Sequence, residues 1–122
     1  YPGTGSHIET GEHGNVLNIP LPAGVGSVDY RNKFDEGVIP FIQKSASDML
    51  IISAGFDAHR RDPLAGLNLE TEDFAYMTRK LQIMHPHLLI GLEGGYDMQA
   101  LGEGCEAVAG VLVDDAKGSA EK

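Results

Sequence analysis

Cysteine is nearly absent from this chain of 122 residues, since Cys105 is its single example. One cysteine excludes an internal disulfide and any zinc cluster built from several thiolates. It also fits a reducing compartment, which would be the cytoplasm, or the nucleus if the source is eukaryotic. Because Cys105 falls in the apolar stripe of a predicted helix, we interpret it as part of the core and not as a reactive thiol.

Basic residues are scarce as well, with 9 Lys and Arg against 18 Asp and Glu and a net charge of -9. That balance argues against a nucleic-acid partner, because binding to phosphates requires clustered positive charge. The apolar runs are far shorter than the roughly 20 residues of a membrane span, so we expect no membrane partner. The hydrophobic content of 42% is enough for the core of one domain, and disorder is not expected.

Three short apolar runs predict strands, at residues 16–19, 49–53 and 88–92. The second and third runs are continuous, which is typical of strands that are buried on both faces. Apolar residues at helical spacing follow each run, so the order is β-α-β-α-β-α. We therefore predict an α/β fold with three layers, in which helices flank a mainly parallel sheet.

The predicted helices begin at residues that commonly cap helices, namely Ser27, Thr71 and Asp97. Pro40 lies inside the first helical pattern, and we expect a kink or break there because proline clashes with the preceding turn. The chain from Asp114 onward is small and charged, and we expect it to be frayed.

In open α/β sheets, ligands bind beyond the carboxyl ends of the strands. Here that rule selects residues 55–64 (loop A) and residues 93–96 (loop B). In loop A, Asp57 and Asp62 are candidate metal-binding carboxylates, and His59 could bind zinc through a neutral nitrogen. The alternative is that an aspartate caps a turn and that His59 is solvated.

Loop B contains Gly94, Gly95 and Tyr96. The glycines allow the backbone to approach a ligand closely, and the tyrosine offers a hydroxyl donor for a developing oxyanion. The alternative is a structural turn with a half-buried tyrosine. Neither a dinucleotide-binding glycine pattern nor a phosphate-binding loop of the Walker type is found in the sequence.

Five segments together resemble the zinc-dependent histone deacetylase superfamily. They are residues 2–5, 18–24, 53–59, 62–64 and 92–96, which read Pro-Gly-Thr-Gly, Asn-Ile-Pro-Leu-Pro-Ala-Gly, Ser-Ala-Gly-Phe-Asp-Ala-His, Asp-Pro-Leu and Leu-Glu-Gly-Gly-Tyr. The sequence is most similar to the class II and bacterial branch, which includes acetylpolyamine amidohydrolases and acetoin-utilisation proteins. The resemblance implies part of a deacetylase or arginase-like fold over residues 1–113, followed by a polar tail at 114–122.

The resemblance also implies individual roles. Asp57 matches a zinc-binding carboxylate of the family, and Tyr96 matches the tyrosine that polarises the scissile amide carbonyl. The remaining matches line the tunnel for the acyl-lysine side chain, and they are Tyr1, Leu64, Gly94 and Gly95. The implied reaction is hydrolysis of the C–N amide bond of acetyl-lysine or an acetylpolyamine.

Family members also carry a catalytic histidine pair and an Asp-x-His metal motif, upstream of the position that Tyr1 matches. Nothing in this chain replaces those upstream motifs, so we expect it to be the C-terminal half of a deacetylase domain and to be inactive alone. Zinc would then be bound only with ligands from the missing N-terminal half, or from a second copy as partner. Two alternatives stay open: a non-catalytic truncated or split α/β module, and an unrelated flavodoxin-like domain.

Overall fold

The computed structural model describes the backbone of residues 3–120 and the side chains of residues 3–114. The elements, in chain order, are helix α1 (Ser27–Lys33), a π-helical turn (Phe34–Val38), helix α2 (Ile39–Ser45), strand β1 (Leu50–Ala54), helix α3 (Thr71–Met84), strand β2 (Leu88–Leu92) and helix α4 (Met98–Ala120).

Strands β1 and β2 pair in parallel, in register from Leu50 with Leu88 to Ala54 with Leu92. Helix α3 forms the crossover between them, and α4 packs against α3. The predicted α/β fold, a parallel sheet with flanking helices, is therefore confirmed. The strand predicted at residues 16–19 is wrong. Pro20 ends that run, and the Val16 N–H donates to the carbonyl of Thr10 within a turn, at 2.9 Å, instead of to a neighbouring strand.

One face of the sheet is open in the described chain, although both strands were predicted to be buried on both faces. Ile51 is 71% exposed and Leu89 is 55% exposed, while the alternate residues Ile52 and Ile90 point towards the helices. Apolar side chains of this size are normally covered. The second helical layer of a three-layer fold would have to cover them.

The core lies between the sheet and the helices and is formed by four buried residues: Phe56, Leu69, Phe74 and Val108. The rings of Phe56 and Phe74 lie 4.9 Å apart at an angle of 40°, a tilted aromatic contact. Phe56 is the second residue after β1 and belongs to loop A, so the core anchors the start of that loop.

The interruption expected near Pro40 is confirmed. The Ile39 N–H donates to the carbonyl of Phe34, five residues back, which is the π-helical pattern. Ser27 does not act as the helix cap, because Gly26 occupies that position. The Ser27 hydroxyl instead donates to Asp73 on α3, at 2.6 Å, and so ties the two helices together.

The ends of α3 and α4 differ in part from the prediction. Glu70 caps α3 in a reciprocal capping box with Asp73, so Thr71 is not the cap. Asp97 does cap α4, since its carboxylate accepts the Ala100 N–H at 2.7 Å. The chain from Asp114, where we expected fraying, is helical in the structure as far as Ala120. Within the described range, no helix combines the length and the apolar character needed to cross a membrane.

Candidate functional site

Loops A and B lie side by side, as the parallel sheet predicts. The strand pairing continues past the strand ends, because the Glu93 N–H donates to the carbonyl of Ala54 at 3.0 Å and the Phe56 N–H donates to that of Gly94 at 2.7 Å. These two bonds connect the loops through backbone atoms alone. The candidate functional residues of both loops therefore lie on backbone segments whose relative position is fixed.

Asp57 lies in a narrow cradle between the two loops. A Cβ atom built on Gly55 would stand 2.7 Å from Asp57 Oδ1, and one built on Gly94 would stand 3.0 Å from Asp57 Cγ. A side chain at either glycine would therefore displace the carboxylate. In loop A, His59 and Asp62 accept hydrogen bonds from backbone N–H groups, and among the described residues no hydrogen bond to the Asp57 side chain is found. The Asp57 carboxylate itself is half-buried between the two loops.

His59 is neither solvated nor free to bind a metal. Its side chain is buried, with the residue 2% exposed, and it stacks on Phe74 with ring centroids 6.4 Å apart. The Arg61 N–H donates to His59 Nδ1 at 3.1 Å, and His59 Nε2 lies 3.4 Å from Thr71 Oγ1. Both ring nitrogens are used by the fold, which removes His59 from the candidate ligands.

Asp62 connects the two loops through its side chain. Its Oδ1 accepts the Leu64 N–H at 2.9 Å, and its Oδ2 accepts the Tyr96 N–H at 2.7 Å. The interpretation of an aspartate that caps a turn is therefore correct for Asp62. Burial raises the pKa of this carboxyl, but hydrogen bonds from backbone N–H groups outweigh it and lower the pKa below its ordinary value.

The Tyr96 side chain is 58% exposed, so its ring is not held by packing within this chain. Its backbone N–H donates to Asp62, and the preceding Gly95 has a φ of 143°, where side chains are strained. Leu64 is exposed beside the same loops. Tyr1 lies outside the described residues.

A polar network behind loop A was not predicted. The Arg61 guanidinium donates to the Glu103 carboxylate on α4, and Thr71 Oγ1 lies 3.5 Å from the same carboxylate. The hydrogen bond from Arg61, with a second from Gln99, lowers the pKa of Glu103. Arg61 and Glu103 are 42 residues apart, so no local pattern could have paired them.

Zinc fits this chain in part. The described residues contain no cluster of three or more His, Cys, Asp and Glu side chains, whereas a catalytic zinc needs three protein ligands. Asp57 is a suitable single donor, because its carboxylate is half-buried in a glycine cradle and not bonded by its own loop. A zinc ion held by Asp57 would need two further protein ligands.

Comparison with known proteins gives consistent matches. The family model described as the histone deacetylase domain matches residues 1–112. The uncharacterized protein slr0245 of Synechocystis sp. is 49% identical over 102 residues, covering 83% of this chain and 33% of the relative. Histone deacetylase 10, chloroplastic, of Oryza sativa subsp. japonica is 39% identical over 109 residues, covering 83% and 25%.

A solved structure described as the HDA15 HD domain aligns with a TM-score of 0.86 at 38% identity, covering 92% of this chain and 33% of that one. The backbone described above is thus similar to that of a deacetylase domain over nearly its whole length. The chain spans a third or less of the length of each of these relatives.

Proposed function

Because this chain belongs to the histone deacetylase domain family, we propose that it supplies the C-terminal half of a zinc-dependent deacylase. The reaction is hydrolysis of the C–N amide bond of acetyl-lysine or an acetylpolyamine. The observation that carries this proposal is the joining of the Asp57 and Tyr96 loops by two backbone hydrogen bonds at one end of the sheet. An amide carbonyl could be reached from both loops at once.

Asp57 provides one metal ligand in this proposal. The cradle supports that role, because a side chain at Gly55 or Gly94 would collide with the Asp57 carboxylate. When bound, zinc supplies the chemistry of a Lewis acid to amide hydrolysis. Asp57 has to hold a carboxylate oxygen at a fixed position. The paired loops fix the backbone that carries it before any ligand binds.

Tyr96 donates its phenolic O–H to the oxygen on which negative charge develops during amide hydrolysis. Such a donor lowers the barrier because its bond strengthens as the charge forms. Leu64, Gly94 and Gly95 line the path of the aliphatic acyl-lysine chain, a role that the family resemblance also gives to Tyr1. An exposed leucine and bare backbone suit that role, since an aliphatic chain needs apolar walls and close approach.

The partner that completes the site is the N-terminal half of the deacetylase domain, or a second copy of this chain in its place. It must bring the remaining zinc ligands and the histidine general base. The open sheet face around Ile51 and Leu89 supports a missing covering layer. The cytoplasm, or the nucleus in a eukaryote, remains the proposed location.

The metal role is tested in the complete domain that carries this chain. We expect Asp57→Ala to reduce zinc below one equivalent per protein, because one of three protein ligands is lost. Asp48→Ala is the matched control, since Asp48 is exposed at the opposite end of β1. Full zinc retention in Asp57→Ala, measured by elemental analysis, would mean that Asp57 is only a turn residue.

The catalytic role is tested by Tyr96→Phe in the same domain. We expect kcat to fall by about two to three orders of magnitude, the usual scale for one oxyanion donor, with little change in substrate binding. Near-normal kcat would refute the assigned role.

The isolated chain separates the deacylase from the non-catalytic module. With zinc added, we expect no deacetylation of a fluorogenic acetyl-lysine substrate by this chain alone, and turnover once the N-terminal half is supplied. If the added N-terminal half restores zinc binding but gives no turnover, the non-catalytic module would be favoured. Turnover by the chain alone, lost in Tyr96→Phe, would point instead to a site completed by a second copy.

A further inference from the structure

The Asp62 carboxylate joins positions that are 34 residues apart in sequence, because one of its oxygens accepts the Tyr96 N–H at 2.7 Å. Its other oxygen accepts the N–H of Leu64, two residues along its own loop, at 2.9 Å. The first bond crosses between the loops, and the second makes a local Asx turn. A single short side chain thus sets both the shape of loop A and its distance from loop B.

The backbone of Tyr96 needs such a restraint. The ring is more than half exposed, so packing within this chain does not fix it, and the preceding residue is a glycine at positive φ. Glycine restricts the backbone less than any other residue, so loop B has little stiffness of its own at this point. The hydrogen bond from Asp62 acts at the residue whose hydroxyl must be placed.

The bond is of the stronger kind. An ionised carboxylate makes shorter and stronger hydrogen bonds to N–H groups than a neutral acceptor does. Burial opposes ionisation of Asp62, but the surrounding backbone N–H groups lower its pKa, so the carboxylate is charged at neutral pH.

We propose that Asp62 is a positioning residue that holds the Tyr96 backbone so that its phenol meets the reacting carbonyl. This inference rests on the proposed function, because it assigns a support to the oxyanion donor. Asp62 touches neither substrate nor metal. Its effect on the reaction passes through Tyr96.

Asp62→Ser tests the cross-loop bond separately from the turn. Serine can still accept the Leu64 N–H in a local turn, more weakly, but it is too short to reach Tyr96. In the complete domain, we expect kcat to fall by about ten- to a hundredfold, because small misplacements of a catalytic group cost up to that much. KM should change less than about twofold. Asp62→Asn, which keeps one acceptor oxygen, should lose less, and Asp48→Asn is the exposed control.

A double-mutant cycle distinguishes positioning from general destabilisation. If Asp62 acts through the Tyr96 hydroxyl, Asp62→Ser should lower kcat little further when Tyr96→Phe is already present. Equal losses in both backgrounds would overturn the proposal. So would an unchanged kcat in the Asp62→Ser single variant.

Hydrogen exchange of the Tyr96 amide gives a readout that does not depend on activity. We expect it to accelerate about tenfold or more in Asp62→Ser, with Asp62→Asn intermediate and Asp48→Asn unchanged. Unchanged exchange in Asp62→Ser would overturn the proposal, whatever the kinetics. A wild-type domain without deacylase activity would overturn the proposed function instead, and the exchange rates would still decide whether Asp62 holds loop B.

Discussion

Gly104 on α4 allows the helix to touch the core, and an alanine there should destabilise the protein. A Cβ atom at this position would stand 2.4 Å from Phe56 Cδ1 and 2.7 Å from Cε1. Carbon atoms normally approach to about 3.5–4.0 Å, so the ring or the helix must move by about 1 Å. The Phe56 ring is buried and packs against Phe74, so it is held in place.

The size of the effect follows from comparison with Gly102, which lies two residues earlier on the same helix. Nothing stands within 4 Å of a Cβ atom built on Gly102, so Gly102→Ala should stabilise by about 0.5–1 kcal/mol through helix propensity. Gly104→Ala gains the same propensity but overpacks the core, at a cost of about 1–3 kcal/mol. The difference between the two variants therefore measures the steric cost alone.

Urea unfolding followed by far-UV circular dichroism makes the comparison. For a slope of about 1–3 kcal/mol per molar urea, a gap of 1–3 kcal/mol separates the two midpoints by about 1 M. We expect the urea midpoint of Gly102→Ala to lie above that of wild type. The midpoint of Gly104→Ala should lie below that of Gly102→Ala by about 1 M. If both variants were stabilised equally, α4 would not approach Phe56 as described, and the anchoring of loop A by the core would have to be abandoned.

Two further predictions concern the cradle and acid stability. Gly94→Ala places a Cβ atom about 3 Å from the Asp57 carboxyl, so the zinc affinity of the complete domain should fall about tenfold or more. Gly102→Ala is the control and should leave the zinc affinity unchanged. Equal zinc affinities of the two variants would contradict the cradle. The Tyr76 hydrogen bond, with Lys80 and against burial, lowers the pKa of Asp35 below 3.8. The ionised Asp35 carboxylate stabilises the fold above its unfolded-state pKa, and this stabilisation is lost as pH falls through its folded-state pKa. Below about pH 4, the unfolding free energy of wild type should therefore fall more steeply with decreasing pH than that of Asp35→Asn. Parallel curves of unfolding free energy against pH would refute this.

Local patterns predicted the elements that depend on local forces. The strand at 88–92 was predicted at its observed bounds, and the π-helical turn lies next to the proline that made an interruption necessary. The segment at 16–19 shows the limit of such patterns. Three of its four residues are apolar, which suits a strand, yet the Val16 N–H is satisfied by a turn, and nothing in the four residues reveals that.

The candidate site was predictable to the level of its loops and not of its contacts. The position of Asp57 and Tyr96 at one sheet end follows from strand order alone. The burial of His59 in loop A depends on Phe74 and Thr71, which contact it from helix α3. The sequence therefore suggested a solvated or metal-binding imidazole, and tertiary packing produced neither.

The same contrast shows which groups order loops A and B. The groups that fix the two loops are backbone amides and carbonyls, the Asp62 side chain and the Phe56 ring, and all of them belong to this chain. Under the proposed function, ligand and substrate would meet the Asp57 carboxylate, which lies in a glycine cradle, and the Tyr96 side chain, which is exposed. Preorganisation of this kind would lower the entropic cost of the proposed assembly, because a completing half would meet side chains whose backbones are already in position.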